Sequence, residues 1–204
     1  MSLSVYQLKP RFQSLLRPMV IRLYQGGVSA NQVTVFAALG SILLGALLLN
    51  WPHPWLFALI PVWMLIRMAL NAIDGMLARE FGQQSRLGTY LNELADILSD
   101  AILYLPFALL GGVEPVLVIA LTLLAIASEY AGVLGLTVGA ERSYDGPMGK
   151  SDRAFVFGLL GLAVSLGWLT PFWLNLILSL VILLLCLTIF NRVKSGLKQG
   201  ENAS

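Results

Sequence analysis

Cysteine and histidine are almost missing from this chain: Cys186 and His53 occur once each. No intrachain disulfide can form, and neither a thiolate cluster nor an imidazole-rich metal site is available. His53 sits in Trp51-Pro52-His53-Pro54-Trp55, a turn signal that reads as a turn and interface anchor remote from any chemistry. Charge is scarce as well. Asp, Glu, Lys and Arg make up 12% of the 204 residues, against 57% hydrophobic ones. That balance excludes an ordinary soluble domain, and no nucleic-acid partner is expected. Internal repeats and low-complexity segments are also absent, so the inverted repeat that would mark many transporters is not seen.

Long apolar runs are what the chain has instead. They lie near residues 33–50, 54–73, 94–112, 115–138, 154–170 and 172–190, each about the length that crosses a bilayer core. The expected fold is therefore an all-α integral membrane protein with six transmembrane helices. One domain is expected to cover 1–204, with the six-helix core at 33–190 and a short polar tail at 195–204. The connections near 51–54, 111–114 and 168–172 carry no Lys or Arg, and of the 13 basic residues only Arg67 falls inside a span. The positive-inside rule then places both termini on the cytoplasmic side of a bacterial inner membrane.

Residues 4–25 lack the apolar core of a cleavable signal peptide. Leu8, Phe12, Leu15, Leu16, Met19 and Leu23 share one helical face, while Lys9, Arg11, Arg17 and Arg22 lie largely elsewhere. This pattern suggests an amphipathic helix in the interface, drawn to anionic membrane lipids, with Pro10 and Pro18 as places where it breaks. An ordinary basic juxtamembrane tail is the plainer reading.

Polar side chains recur at helical spacing where two apolar runs meet a basic connection. Residues 71, 74 and 78 fall on one face, as do 88, 92, 96 and 100. Carboxylates and amides there are costly unless they bind an ion, pair with a charge or face water. The stretch Asn71-Ala72-Ile73-Asp74-Gly75-Met76-Leu77-Ala78-Arg79, with Gly88, Asn92 and Asp96, resembles the signature D-x2-D-G-x2-A-R-x8-G-x3-D-x3-D of the CDP-alcohol phosphotransferase (CDP-alcohol phosphatidyltransferase) family. Eight positions over 26 residues are in register, with amides in place of the first and third acids.

The resemblance implies a membrane transferase of phospholipid biosynthesis. It would move a phosphatidyl group from CDP-diacylglycerol, or a related CDP-alcohol, to an alcohol acceptor with release of CMP. It implies one or two divalent ions, Mg²⁺ or Mn²⁺, at the positions of Asn71, Asp74, Asn92 and Asp96, with Asp96 as general base, and a homodimer. Gly75, Ala78 and Gly88 would allow close approach of the nucleotide, and Arg79 would contact phosphate. Small residues in helix packing and an Arg that merely sets orientation are the plainer readings. Asn supplies an oxygen but no negative charge, so Asn71 and Asn92 should weaken metal binding. Glu93 points about 100° away from Asn92 and is a poor substitute.

Several residues beyond the motif enter the same reading. Val28-Ser29-Ala30-Asn31-Gln32-Val33-Thr34 resembles the family's entry to the first span, making Asn31 a candidate pocket residue. Helix capping by Ser29 or Asn31 is the alternative. Lys150 and Arg153, with Arg142 in the same loop, are candidates for the phosphate of an acceptor or lipid, or for orientation alone. Arg67, Asp100 and Glu129 are expected at similar depth and form a candidate ionic cluster, although Asp100 is also placed to compensate at the metal site. Two functions remain open: a working transferase, or a non-catalytic or altered protein that binds a CDP-lipid.

Overall fold

The computed structural model describes residues 8–203, with side chains described from residue 12 to residue 201. The expected parts played by residues 4–7 and by the side chains of Leu8, Lys9 and Arg11 lie outside these. Among the described residues the regular structure is all helical: α1 (Leu8–Gln25), α2 (Ala30–Asn50), α3 (Leu59–Glu80), α4 (Arg86–Tyr104), α5 (Pro115–Leu134), α6 (Lys150–Ser165) and α7 (Pro171–Ala203). Short 3₁₀ turns lead into α3 (Pro54–Ala58) and extend α4 and α5 (Leu105–Leu109, Gly135–Val138).

Among the described residues four helical stretches are long and apolar enough to cross a membrane: Ala30–Asn50, Pro54–Glu80, Pro115–Val138 and Pro171–Glu201. Six apolar runs were read from the sequence. The other two fall on α4, which carries Glu93, Asp96 and Asp100, and on α6, which has only 16 residues. The prolines of the N-terminal segment do not break it. α1 runs through with Pro18 inside, at a local cost in hydrogen bonding. The polar residues from 195 onward are the end of α7.

Backbone contacts divide the chain into two compact units, residues 1–40 with 65–98 and residues 41–64 with 99–204. In the first, Leu16 and Val20 of α1 join Ala30, Val33, Ile73, Met76 and Leu77 in a small core. Phe12, Leu15 and Met19, on the expected apolar face, remain exposed. The helix thus shows two apolar edges, one toward protein and one toward its surroundings. α1 ends where Gly27 takes a left-handed conformation (φ 75°) and Val28 N–H donates back to Leu23 O, a Schellman-type stop. The next helix opens on a reciprocal cap. Gln32 N–H donates to Ser29 Oγ at 3.2 Å, and Ser29 N–H donates to Gln32 Oε1 at 2.8 Å. Arg17 reaches Glu80 through two bonds of 2.6 and 3.1 Å; both are largely exposed, so the pair fixes geometry more than it adds stability.

The second unit is built on buried aromatics. Tyr104 and Phe157 stack at 3.7 Å, and Phe107 meets Phe57 and Phe157 edge-on at 4.9 and 5.3 Å. Asn175 of α7 clasps the connection before α5, which carries no Lys or Arg, donating to Gly112 O and accepting from Glu114 N–H, both at 3.0 Å. The connection before α6 is tied down as well: Met148 N–H donates to Thr188 Oγ1, and Ser143 N–H to Gly132 O.

Close helix contact in this unit depends on small residues. A Cβ at Gly45 would lie 2.5 Å from Ile102, side chain and carbonyl alike, whereas one at Gly111 would meet nothing within 4 Å. Gly45→Ala should therefore destabilise the detergent-solubilised protein by about 1–3 kcal/mol. Gly111→Ala should leave its thermal midpoint almost unchanged in the same scan.

Candidate active site

The motif residues converge in the first unit. Asp74 and Arg79 come from α3, Asn92 and Asp96 from α4, and Thr34 from the first turns of α2. Asp74 is buried and accepts a 2.8 Å hydrogen bond from Thr34 Oγ1. Asn92 Nδ2 lies 3.5 Å from the same Asp74 oxygen. Asp96 is 17% exposed at its side chain, and Asn71 Nδ2 and Arg67 Nη2 approach its Oδ1 at 3.3 and 3.4 Å. Arg67 also donates to the Asp96 carbonyl at 3.1 Å. Each motif Asn therefore faces an Asp on the opposite helix. A carboxylate only accepts, so the amide must turn its NH₂ group toward it.

The surroundings carry the smaller motif positions. Arg79 is exposed and folds back over Gly75: a Cβ there would lie 2.8 Å from its Nη2. A Cβ at Gly88 would lie 2.7 Å from Asn31 Oδ1, so Asn31 stands beside the motif, while the capping hydroxyl of α2 belongs to Ser29. Ala78 packs at the edge of the small core. Ser85 starts α4, its Oγ accepting from Gly88 N–H at 2.9 Å. Gln83 bonds the start of α2, accepting from Ala30 N–H at 2.7 Å. Thr34 was not singled out from the sequence, although it closes the Asn31-Gln32-Val33-Thr34 spacing.

Among the described residues no three of His, Cys, Asp and Glu converge on one point. The donor set is two carboxylates and two amides. Mg²⁺ is commonly held by one or two carboxylates together with substrate phosphates, so these residues fit a hard divalent ion that shares its coordination with a phosphorylated substrate.

The second unit holds an ionic cluster of its own. Arg153 is only 1% exposed at its side chain, and its Nη2 lies 2.9 Å from both Asp100 and Glu129. Its Nε also donates to Asp100, and its Nη1 to Ser128 Oγ and the Met148 carbonyl. All five guanidinium N–H groups thus have acceptors. Arg142 and Arg192 reach Glu129 at 3.1 and 3.4 Å. The sequence places Arg67, Asp100 and Glu129 in one candidate ionic cluster; Arg153 bridges the two acids, and Arg67 reaches Asp96. Arg153 was placed among the phosphate contacts because it follows a basic loop. One turn into α6, it is buried. Arg192, counted from sequence only for its charge, completes the cluster through the Ser128 and Asp145 carbonyls. Lys150 opens α6, half-buried, and Arg142 lies over the Tyr144 ring at 4.8 Å.

The sequence profile of the CDP-alcohol phosphatidyltransferases matches residues 28–193. The chain belongs to that family. It is 49% identical over 197 residues to inner membrane protein YnbA of Escherichia coli K12, covering 96% of this chain and 97% of that protein. It is 26% identical over 191 residues to a phosphatidylinositol phosphate synthase of Streptomyces avermitilis, 85% of this chain and 76% of the relative. An archaetidylinositol phosphate synthase of Aeropyrum pernix shares 34% over 101 residues, about half of each chain.

Removing one partner from a buried ion pair leaves an uncompensated charge, costing about 3–5 kcal/mol. Arg153→Met should accordingly abolish the folded, monodisperse protein in detergent chromatography, and Arg153→Met/Asp100→Asn should recover part of it. At the motif, Gly75→Ala should displace the Arg79 guanidinium and weaken binding of the CDP-alcohols on which the family acts, read by competition with a labelled CDP-lipid.

Proposed function

We propose that this family member transfers a phosphatidyl group from CDP-diacylglycerol, or a closely related CDP-alcohol, to an alcohol acceptor. The alcohol oxygen forms a bond to the phosphorus of the phosphatidyl group, the bond to CMP breaks, and CMP leaves. Asp96 takes the proton of the attacking hydroxyl. The observation that carries this reading is the convergence of Asp74 and Asp96 from facing helices with Arg67, Thr34 and the two amides around them.

Each group has a task in this reading. Arg67 and Asn71 hold the Asp96 carboxylate from one side, and Thr34 and Asn92 hold Asp74. Asp74, Asp96 and the amide oxygens of Asn71 and Asn92 are the groups that would hold Mg²⁺ or Mn²⁺. Such an ion would neutralise diphosphate charge and favour departure of CMP. Arg79, exposed beside Gly75, reaches toward phosphate, and Gly75, Ala78, Gly88 and Asn31 line the nucleotide's approach. Lys150 and Arg142 are the candidate contacts for a phosphorylated acceptor. Arg153, whose donors go to protein groups, supports that loop from below.

Six membrane crossings remain the proposed topology, with α4 and α6 as the crossings that carry or border buried charge. Their polar groups are compensated locally, which lessens the cost of a charged span. The lysines and arginines of the loops favour a cytoplasmic active site in an inner membrane, with α1 at the interface and a homodimer as the working form. The amides facing both aspartates favour a second reading, a CDP-lipid-binding protein without turnover. CMP release from CDP-diacylglycerol, with Mg²⁺ or Mn²⁺ and a panel of alcohols, separates the two. The transferase should release CMP with metal, and Asp96→Asn should lower that rate by about 10²–10⁴-fold. Retained CDP-lipid binding with no release under any alcohol would establish the second reading.

A further inference from the structure

We infer that the end of α7, from Thr188 to Gly200, is a positioning strip: it holds the connection between α5 and α6 in one shape and thereby sets how well Arg142 and Lys150 bind a phosphate. The phosphate half rests on the reading of those two cations as contacts for a phosphorylated acceptor. α7 has 33 residues, about 50 Å of helix, whereas about 30 Å crosses a bilayer core. The part in excess begins where the apolar run ends and Arg192, Lys194 and Lys198 appear.

Residues 139–149 form neither helix nor strand, so their backbone groups need partners from elsewhere. Thr188, Arg192 and Gln199 share one face of α7 and supply three of them. Met148 N–H donates to Thr188 Oγ1 at 3.0 Å, Arg192 Nε to the Asp145 carbonyl at 3.3 Å, and Glu141 N–H to Gln199 Oε1 at 3.2 Å. Residues 148, 145 and 141 thus meet 188, 192 and 199 in turn, and the connection runs back along the helix in a fixed register. Gly146 makes a close approach to it: its φ is 121°, and a Cβ there would lie 2.6 Å from Thr188 Cα. Further along, a Cβ at Gly200 would run into the Val138 carbonyl.

These pins flank the two cations. On either side of Arg142, the Glu141 and Ser143 N–H groups are bound, the first by Gln199 and the second by Gly132 O. Met148, two residues before Lys150, is bound by Thr188. The Arg142 guanidinium lies over the Tyr144 ring and 3.1 Å from Glu129, so a fixed backbone also gives that group a fixed direction. A loop already held in its binding shape loses less freedom when a ligand arrives. Gln199 is exposed near the end of α7, so its loss would loosen the connection without opening the buried core.

Hydrogen exchange of the full-length protein in detergent, read by mass spectrometry with and without inorganic phosphate, tests both halves. In the natural protein the amides of residues 139–149 should exchange slowly, and more slowly still with phosphate. Gln199→Ala and Thr188→Val each remove one hydrogen bond to the connection. Each should speed exchange there by roughly three- to tenfold and raise the half-protecting phosphate concentration by a similar factor, with α5 unchanged. Leu197→Ala, at an exposed position on the other side of the same turns, should do neither. Unchanged exchange in both strip variants would overturn the inference. So would faster exchange with an unaltered phosphate dependence, or no protection by phosphate in the natural protein. Should the buried Thr188→Val variant not fold, Gln199→Ala still decides. Protection by phosphate with no CMP release under any alcohol would sink the transferase reading and leave this one standing.

Discussion

A charge placed within an apolar helix has to find its counter-charge before the helix can stay folded, and most features of this protein follow from how that is met. Arg153 and Arg67 are both buried, and each meets a carboxylate of α4, Asp100 and Asp96 respectively. α4 carries both acids on nearly one face, four residues apart. The same periodicity that lines up Asn92 and Asp96 in the motif therefore also provides Asp100 for the Arg153 cluster. One helix serves two purposes because its polar stripe extends a turn beyond the motif.

The two clusters differ in what their charges can still do. Around Arg153 every guanidinium N–H is matched to a carboxylate, hydroxyl or carbonyl, and the group is sealed. Such a network fixes geometry, since loss of any member exposes the rest to an uncompensated environment. Around Asp96 the contacts are longer and the side chain is partly exposed. Contacts of that length are weak hydrogen bonds. The Arg153 network ties the connection before α6 to α4 and α5, whereas the Asp96 carboxylate stays partly open.

Amides stand at two positions where the signature this motif resembles carries acids. Asn keeps the shape and one oxygen of Asp while exchanging the other oxygen for a donor. In isolation that looks like a loss. Beside Asp74 and Asp96 it becomes a pairing, since two acceptors that would repel are replaced by donor and acceptor. Asp74, Asp96, Gly75, Arg79 and Gly88 keep the residue types of that signature.

Spacing by itself determined the family, the helical class and the faces on which Asn71, Asp74, Asn92 and Asp96 stand, because the helical repeat fixes which side chains point together. It also determined the apolar runs, and the capping hydroxyl of Ser29 was legible in outline. What periodicity leaves open is which of several residues at similar depth actually meet. Only the tertiary structure decided that Arg153 bridges Asp100 and Glu129, that Arg67 turns to Asp96, that Thr34 bonds Asp74, and that Arg192 joins the buried cluster. It also decided that α1 passes through Pro18 unbroken and divides its apolar residues between a core and an exposed edge. Partner choice depends on helix rotation, loop path and side-chain reach, and these emerge only when distant segments are packed against one another.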